Sequence, residues 1–149
     1  MKTKTLLISS AAALALLISA VAFLSSGDSE LCGSEFAQGA YESAFRYCEK
    51  ACSKDDGGGC AGLGSLYGGG LGVKQDYTQA KTYYEKSCSL DDGIGCFGLG
   101  SLYYNGYGVK QNKKVSKEYC RKACDLGLQD GCSKATRIMA ELVMRGEDD

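Results

Sequence analysis

A cysteine frame that recurs every 36 residues constrains this chain more than any other feature of its sequence. Within each unit a second cysteine follows the first by eight residues. A fixed period of this length is typical of stacked supersecondary units, so we predict a solenoid rather than a single globule. The cysteines of the frame are Cys52 and Cys60, Cys88 and Cys96, and Cys124 and Cys132.

The residues between these cysteines repeat as well. Cys60-Ala-Gly-Leu-Gly-Ser-Leu-Tyr67 returns as Cys96-Phe-Gly-Leu-Gly-Ser-Leu-Tyr103, and Gly72-Val-Lys-Gln-Asp76 returns as Gly108-Val-Lys-Gln-Asn112. These motifs resemble those of Sel1-like repeats, and the cysteine pair added to each unit is similar to the Helicobacter cysteine-rich protein family. The resemblance spans about residues 31–145. It implies an all-α fold of antiparallel helix hairpins related to tetratricopeptide repeats.

Helical periodicity supports the same architecture. Ala80, Tyr83, Tyr84, Ser87 and Cys88 recur at i, i+3, i+4, i+7 and i+8, which is one face of a helix. Glycines in the preceding helix weaken it, so we expect them to permit close helix approach. We predict a disulfide-stapled all-α solenoid with a tetratricopeptide-like hairpin at 28–54, Sel1-like repeats at 57–90 and 93–126, and a C-terminal capping helix at 129–146.

The capping helix departs from the repeat motif, as the ends of solenoids do. We expect its polar residues to cover the open end of the stack. They are Lys134, Arg137, Glu141 and Arg145.

Residues 1–26 have the pattern of a secretory signal peptide. Lys2 and Lys4 precede an uncharged run from Thr5 to Gly27, in which small residues follow an apolar centre. The alternative is an uncleaved anchor, since a run of about 20 apolar residues can span a bilayer. We expect cleavage and a secreted or periplasmic protein, with membrane contact only if the signal is retained.

Nine cysteines in a short exported chain predict disulfide bonds. In the helical interpretation, the first cysteine of each frame ends one helix and the second begins the next. A turn between them brings their Cα atoms near the distance of about 5.5 Å that a disulfide prefers. We therefore predict bonds Cys52–Cys60, Cys88–Cys96 and Cys124–Cys132.

Three cysteines lie outside this frame. Cys32 and Cys48 face each other from the two helices of the first hairpin, so we predict that they pair. Cys120 is then the odd thiol. It takes the place of Tyr84 in the preceding repeat, a core position, which favours a buried inert thiol over intermolecular pairing.

The absence of histidine excludes much chemistry. It removes the usual base for serine and cysteine nucleophiles and the commonest zinc ligand. Cys48 with Cys52, and Cys120 with Cys124, have a spacing that two metal ligands could use, but disulfide formation is the favoured use. We expect no metal and no cofactor.

With 17 basic and 18 acidic residues and no basic cluster, we also expect no nucleic-acid partner.

The family resemblance also implies penicillin binding or β-lactamase activity. Serine enzymes of that class use a Ser-x-x-Lys motif, and no serine here has a lysine three positions later. The alternative function is therefore a weak β-lactamase without a visible catalytic motif.

The favoured function is binding through the concave face. Residues on the first helix of each hairpin that do not pack in the core would line this face. Such surfaces bind extended peptides or proteins. We expect a monomer that binds a peptide, a protein or a cell-wall fragment, with β-lactams as a further possibility. The alternative for Phe97 and Tyr104 is that they fill gaps between helices. The predicted ligand-binding residues are Ser65, Phe97, Ser101, Tyr104 and Arg137.

Overall fold

The computed structural model describes residues 27–147, which form seven helices and no strand. The predicted signal peptide lies outside the described residues. No helix within 27–147 is long and apolar enough to cross a membrane. The helices are α1 (27–37), α2 (Tyr41–Cys52), α3 (Gly57–Gly69), α4 (Tyr77–Ser89), α5 (Gly93–Asn105), α6 (Lys113–Asp125) and α7 (Gln129–Met144).

The helices stack as hairpins in chain order. From α2 onward each helix packs against the next, and α5 also contacts both α3 and α7. The odd-numbered helices from α3 therefore form one layer, while α2, α4 and α6 form the other. The predicted disulfide-stapled all-α solenoid is confirmed.

Aspartate and glycine set the helix ends. The side chains of Asp56 and Asp92 accept hydrogen bonds from backbone N–H groups in the first turns of α3 and α5. At the other ends, Gly70 and Gly106 have φ values of 63° and 75°, in the left-handed region that glycine adopts without steric cost. The interhelical glycines thus adopt backbone angles that other residues reach only at a steric cost.

Close helix approach explains the glycines inside α3 and α5. The ring of Tyr84 on α4 lies between Gly64 and Gly98. A Cβ atom at either glycine would lie 2.6 Å from the ring carbon Cδ1 of Tyr84. Real Cβ atoms do not approach other atoms so closely, so the two glycines create the slot that holds the ring.

Four disulfides staple the turns of the stack. Cys52–Cys60, Cys88–Cys96 and Cys124–Cys132 each have a Cα–Cα distance of 4.6 Å, and Cys32–Cys48 has one of 4.8 Å. The first three are the pairs that the cysteine spacing predicts, and Cys32–Cys48 is the pair predicted across the first hairpin. Within residues 27–147, Cys120 is the remaining free thiol. It is fully buried, and burial raises its pKa.

A lysine from each Sel1-like repeat clamps the stapled turn before it. Lys86 Nζ donates to the Cys52 carbonyl at 2.9 Å and pairs with Asp55 at 2.9 Å. One repeat later, Lys122 Nζ donates to the Cys88 carbonyl at 3.0 Å and pairs with Asp91 at 3.3 Å. Each carbonyl belongs to the last turn of a helix, where a cation also interacts favourably with the helix dipole.

The outer face of α7 differs from the expected polar cap. Met139, Val143 and Met144 are its exposed apolar side chains, and Met144 is 80% exposed. Lys134 and Glu141 instead make hydrogen bonds to α5. The expectation that polar residues cover the open end is therefore wrong for these two, because their polar groups reach back to hydroxyl partners in the preceding repeat.

Candidate functional site

Two adjoining cavities open between the odd-numbered helices. Their volumes are about 370 and 350 Å³. Ser65 on α3 and Ile94 on α5 line both, so the two cavities form one groove. The first is also lined by Ser29, Cys32, Gly33, Phe36, Gly58, Ala61 and Gly62, and the second by Gly68, Tyr77, Tyr84, Phe97, Gly98, Ser101, Leu102, Asn105 and Tyr107.

The first cavity is largely apolar and has a disulfide beneath it. Phe36 and Ile94 contribute apolar side chains, and Ile94 is 52% exposed. A Cβ atom at Gly62 would lie 2.6 Å from Cys32 Sγ and 2.7 Å from Cys48 Sγ, so the absent side chain lets the disulfide pack directly beneath α3. This cavity therefore suits an aliphatic or aromatic ligand group.

The second cavity adds hydroxyl and amide groups. Ser65 Oγ donates to the Ala61 carbonyl at 3.0 Å and lies 3.1 Å from the Tyr84 hydroxyl. Burial raises the pKa of Tyr84, which stays a neutral phenol at physiological pH. Tyr77 and Tyr107 stack with their ring centroids 4.8 Å apart in the lining. Such a surface can make both polar and ring contacts to an extended chain.

Two cations of α7 contact side chains of α5 beside the second cavity. Lys134 Nζ donates to Ser101 Oγ at 2.8 Å and lies 5.0 Å from the Phe97 ring centroid and 5.3 Å from that of Tyr104. The Arg137 guanidinium lies 5.8 Å from the Tyr104 centroid. Burial lowers the pKa of Lys134. Cation–π contacts of this kind partly replace the lost hydration.

Tyr104 joins α5 to α7 rather than lining either cavity. Its hydroxyl donates to Glu141 at 2.9 Å, and Lys113 Nζ lies 2.6 Å from the same carboxylate. Hydrogen bonds from Lys113 and Tyr104 lower the pKa of Glu141. Glu141 therefore stays ionised and neutralises Lys113.

The structure brings the five predicted ligand-binding residues to one side of the molecule. Ser65, Phe97 and Ser101 line the cavities, whereas Tyr104 and Arg137 contact each other beside them. Phe97 and Tyr104 also pack against the core formed by Cys120, Ile138 and Leu142. Both aromatic side chains thus fill gaps between helices, as the alternative interpretation holds, while Phe97 lines the second cavity as well.

Sequence reasoning missed two residues of the groove. Ile94 occupies the place of Gly58 in the preceding repeat, and Lys134 occupies the place of Gly62 and Gly98. Both are departures from the 36-residue pattern at positions where a glycine is replaced by a large side chain. A comparison of the repeats position by position could have found them.

Metal ligation has no support among residues 27–147. No group of three or more histidine, cysteine, aspartate or glutamate side chains there could hold a metal ion. Eight cysteines of this range are in disulfides.

Comparisons with known proteins agree with the helix stack. A family model described as the Sel1 repeat matches residues 33–56, 58–92 and 93–128. The chain belongs to the Sel1 repeat family. These Sel1 repeats include the paired helices α3 and α4, and α5 and α6, that carry most of the groove. A search of curated proteins found no match.

Two solved structures are similar to this chain. Helicobacter pylori cysteine rich protein B is 43% identical with a TM-score of 0.57, and the match covers 60% of this chain and 68% of that one. A Sel1 repeat protein from Oxalobacter formigenes is 21% identical with a TM-score of 0.64, which shows a shared fold. That match covers 73% of this chain and 44% of the Oxalobacter chain. The protein is therefore a Sel1 repeat protein of the cysteine-rich type.

Proposed function

We propose that this protein is an exported binding module whose groove holds an extended peptide segment of a partner protein. The observation that carries the proposal is the pair of adjoining cavities that share Ser65 and Ile94. The first cavity is largely apolar, and the second adds an amide and further hydroxyl groups to a mainly apolar lining. Such a lining suits the side chains and backbone of an extended chain.

The dimensions of the groove also favour a peptide. Helix layers that pack 8 to 10 Å apart place α3 and α7 roughly 20 Å from each other. An extended chain covers that distance in about six residues. The exposed Ile94 lies midway, where a bound peptide would remove its apolar surface from water.

Family membership and the disulfides support the rest of the proposal. Sel1 repeats generally mediate interactions between proteins. Disulfides persist in oxidising compartments, which fits export to the periplasm or to the exterior of the cell. A stapled groove is also preorganised, so ligand binding costs little ordering of the protein.

Replacement of Ile94 by aspartate tests the groove. We expect I94D to reduce the capture of pooled synthetic decapeptides by the oxidised protein about tenfold, because it places a charge in the apolar part of the groove. Captured peptides would be quantified by mass spectrometry. Since half of the Ile94 side chain is exposed, the melting temperature should change little.

Met144→Asp is the matched control, because Met144 is an exposed apolar residue on α7 that lines neither cavity. It should leave peptide capture unchanged. Equal capture by wild type and I94D, or no capture by either, would contradict the proposed function.

A second candidate function, slow opening of β-lactams, is favoured by one contact. Lys134 Nζ donates to Ser101 Oγ at 2.8 Å, and burial lowers the pKa of Lys134, so the fraction of the amine that is neutral would supply a general base. The hydroxyl of Ser101 would attack the lactam carbonyl and pass its proton to Lys134. The ring C–N bond would then break as its nitrogen takes up that proton, and water would hydrolyse the resulting ester.

Ser101→Ala is the variant that tests this candidate. If the pair acts as nucleophile and base, highly purified oxidised protein turns over a chromogenic β-lactam, and S101A lowers the rate to background. Ser65→Ala is the matched control, since Ser65 has the same place in the preceding repeat but its hydroxyl lies next to Tyr84 rather than to a lysine. The candidate fails if wild type shows no turnover, or if S101A retains it.

A further inference from the structure

Among residues 27–147, the cations at the α7 end of the groove form no ion pair, although the charge of Arg137 helps to lower the pKa of Glu141. Within residues 27–147, neither Lys134 nor Arg137 has a carboxylate within ion-pair distance. Lys134 contacts a hydroxyl and two aromatic rings instead. Partial burial of a cation without a counter-charge is costly, so a ligand carboxylate beside Lys134 would offset that cost.

The nearby acid does not fill this role. Glu141 is one turn beyond Arg137 on α7, but its carboxylate is already engaged by Lys113 and by the Tyr104 hydroxyl. The four charged groups around Tyr104 are Lys113, Lys134, Arg137 and Glu141, which together carry two net positive charges. Cys120, also close to Lys134, is a neutral thiol because burial raises its pKa.

The position of these two cations relative to the groove indicates what they could bind. Ser101 lines the second cavity and accepts the hydrogen bond of Lys134, so the ammonium group lies directly at the cavity edge. Arg137 is exposed on the next turn of α7, and its guanidinium lies 5.8 Å from the centroid of the Tyr104 ring that Lys134 also contacts. A ligand chain that leaves the second cavity toward α7 therefore meets an ammonium and a guanidinium group.

We propose that Lys134 and Arg137 form a carboxylate-binding site that anchors one end of the peptide in the groove. This inference rests on the proposed function. Lysine and arginine donate strong charge-assisted hydrogen bonds to a carboxylate. Ser101 Oγ accepts a hydrogen bond from Lys134 and so holds the ammonium group in position. The carboxylate comes from the peptide C-terminus or from an acidic side chain, and these two sources require separate probes.

Three versions of one pooled decapeptide library separate the outcomes. The first contains only uncharged residues and ends in a free carboxylate, the second is its C-terminal amide, and the third is an amide with one glutamate. Wild type should capture the first or the third about tenfold more than the second. Preference for the first assigns the site to a C-terminus, and preference for the third assigns it to a side chain.

Two variants locate the effect. Lys134→Met keeps an unbranched side chain of similar length beside Phe97 and Tyr104, and Arg137→Gln changes an exposed residue, so at least one should fold normally. Each should abolish the preference for the acidic library, so that the acidic and neutral libraries are captured equally. Arg121→Gln is the matched control, because Arg121 is an exposed arginine on α6 that pairs with Glu118.

The result can separate this inference from the function on which it rests. Equal capture of all three libraries would overturn the carboxylate site and leave the groove function in place. A preference for acidic peptides that survives in both K134M and R137Q would also overturn it. Capture of no library would remove the proposed function and the site together.

Discussion

Full reduction of the four disulfides is expected to unfold this protein at room temperature. Each short loop closed by Cys52–Cys60, Cys88–Cys96 or Cys124–Cys132 contributes about 2 to 3 kcal/mol, mainly by restricting the unfolded chain. The four bonds together contribute about 10 kcal/mol, while domains of this size have a net stability of about 5 to 15 kcal/mol. Removal of the bonds therefore takes away most of the free energy of unfolding.

Circular dichroism at 222 nm with and without a phosphine reductant measures this effect. One staple can also be removed alone, and C88A/C96A should lower the free energy of unfolding by about 2 to 3 kcal/mol. Cys120→Ala is the matched control, since Cys120 is as buried as Cys96 but forms no disulfide. It should cost about 1 kcal/mol. A reduced chain with the helix content and melting temperature of the oxidised protein would contradict the expectation.

Gly98→Leu should cost about 3 kcal/mol of stability, although leucine forms helices far better than glycine does. The reason is the slot between Gly64 and Gly98, in which the Tyr84 ring is held from both sides. A ring that contacts one glycine cannot move away from a side chain at the other. Gly98→Ala should show the same sign with a smaller loss of about 1 kcal/mol, and chemical denaturation would measure both.

A matched glycine without neighbours provides the control. Gly33 lies in α1, is exposed and has no atom within 4 Å of the place that a Cβ atom would take, so Gly33→Ala should stabilise the protein by up to about 1 kcal/mol. Tyr84→Leu should reduce the cost of Gly98→Ala in a double-mutant cycle, since a smaller side chain frees the slot. Additive losses of stability in that cycle would show that the side chains at positions 84 and 98 are not coupled.

The repeating part of the fold could be predicted because several independent features share one period. Cysteine spacing fixes where the turns lie, aspartates such as Asp92 cap the helices that follow, and glycines such as Gly98 mark where helices approach closely. Each of these depends on local backbone chemistry that is visible in the sequence. The three disulfides of the 36-residue frame follow from the same geometry, since a turn of eight residues brings its ends together.

The α7 end of the groove was harder to predict because two substitutions act together there. Cys120 replaces the tyrosine of the preceding repeat, and Lys134 replaces the glycine that this tyrosine would pack against. The Cys120 thiol packs against Gly100, and the Lys134 ammonium group reaches Ser101 on α5. Both changes are visible in the sequence. The hydrogen bond from the Lys134 ammonium group to the Ser101 hydroxyl is visible only in the structure.

The lysine clamps have a consequence for how such proteins change over evolutionary time. Each 36-residue unit carries its own staple, and Lys86 and Lys122 show that it also carries its own attachment to the unit before it. A duplicated unit would bring along every part needed to join the array. Gene duplication can thus extend the binding surface stepwise, and each new copy is free to acquire a different ligand preference.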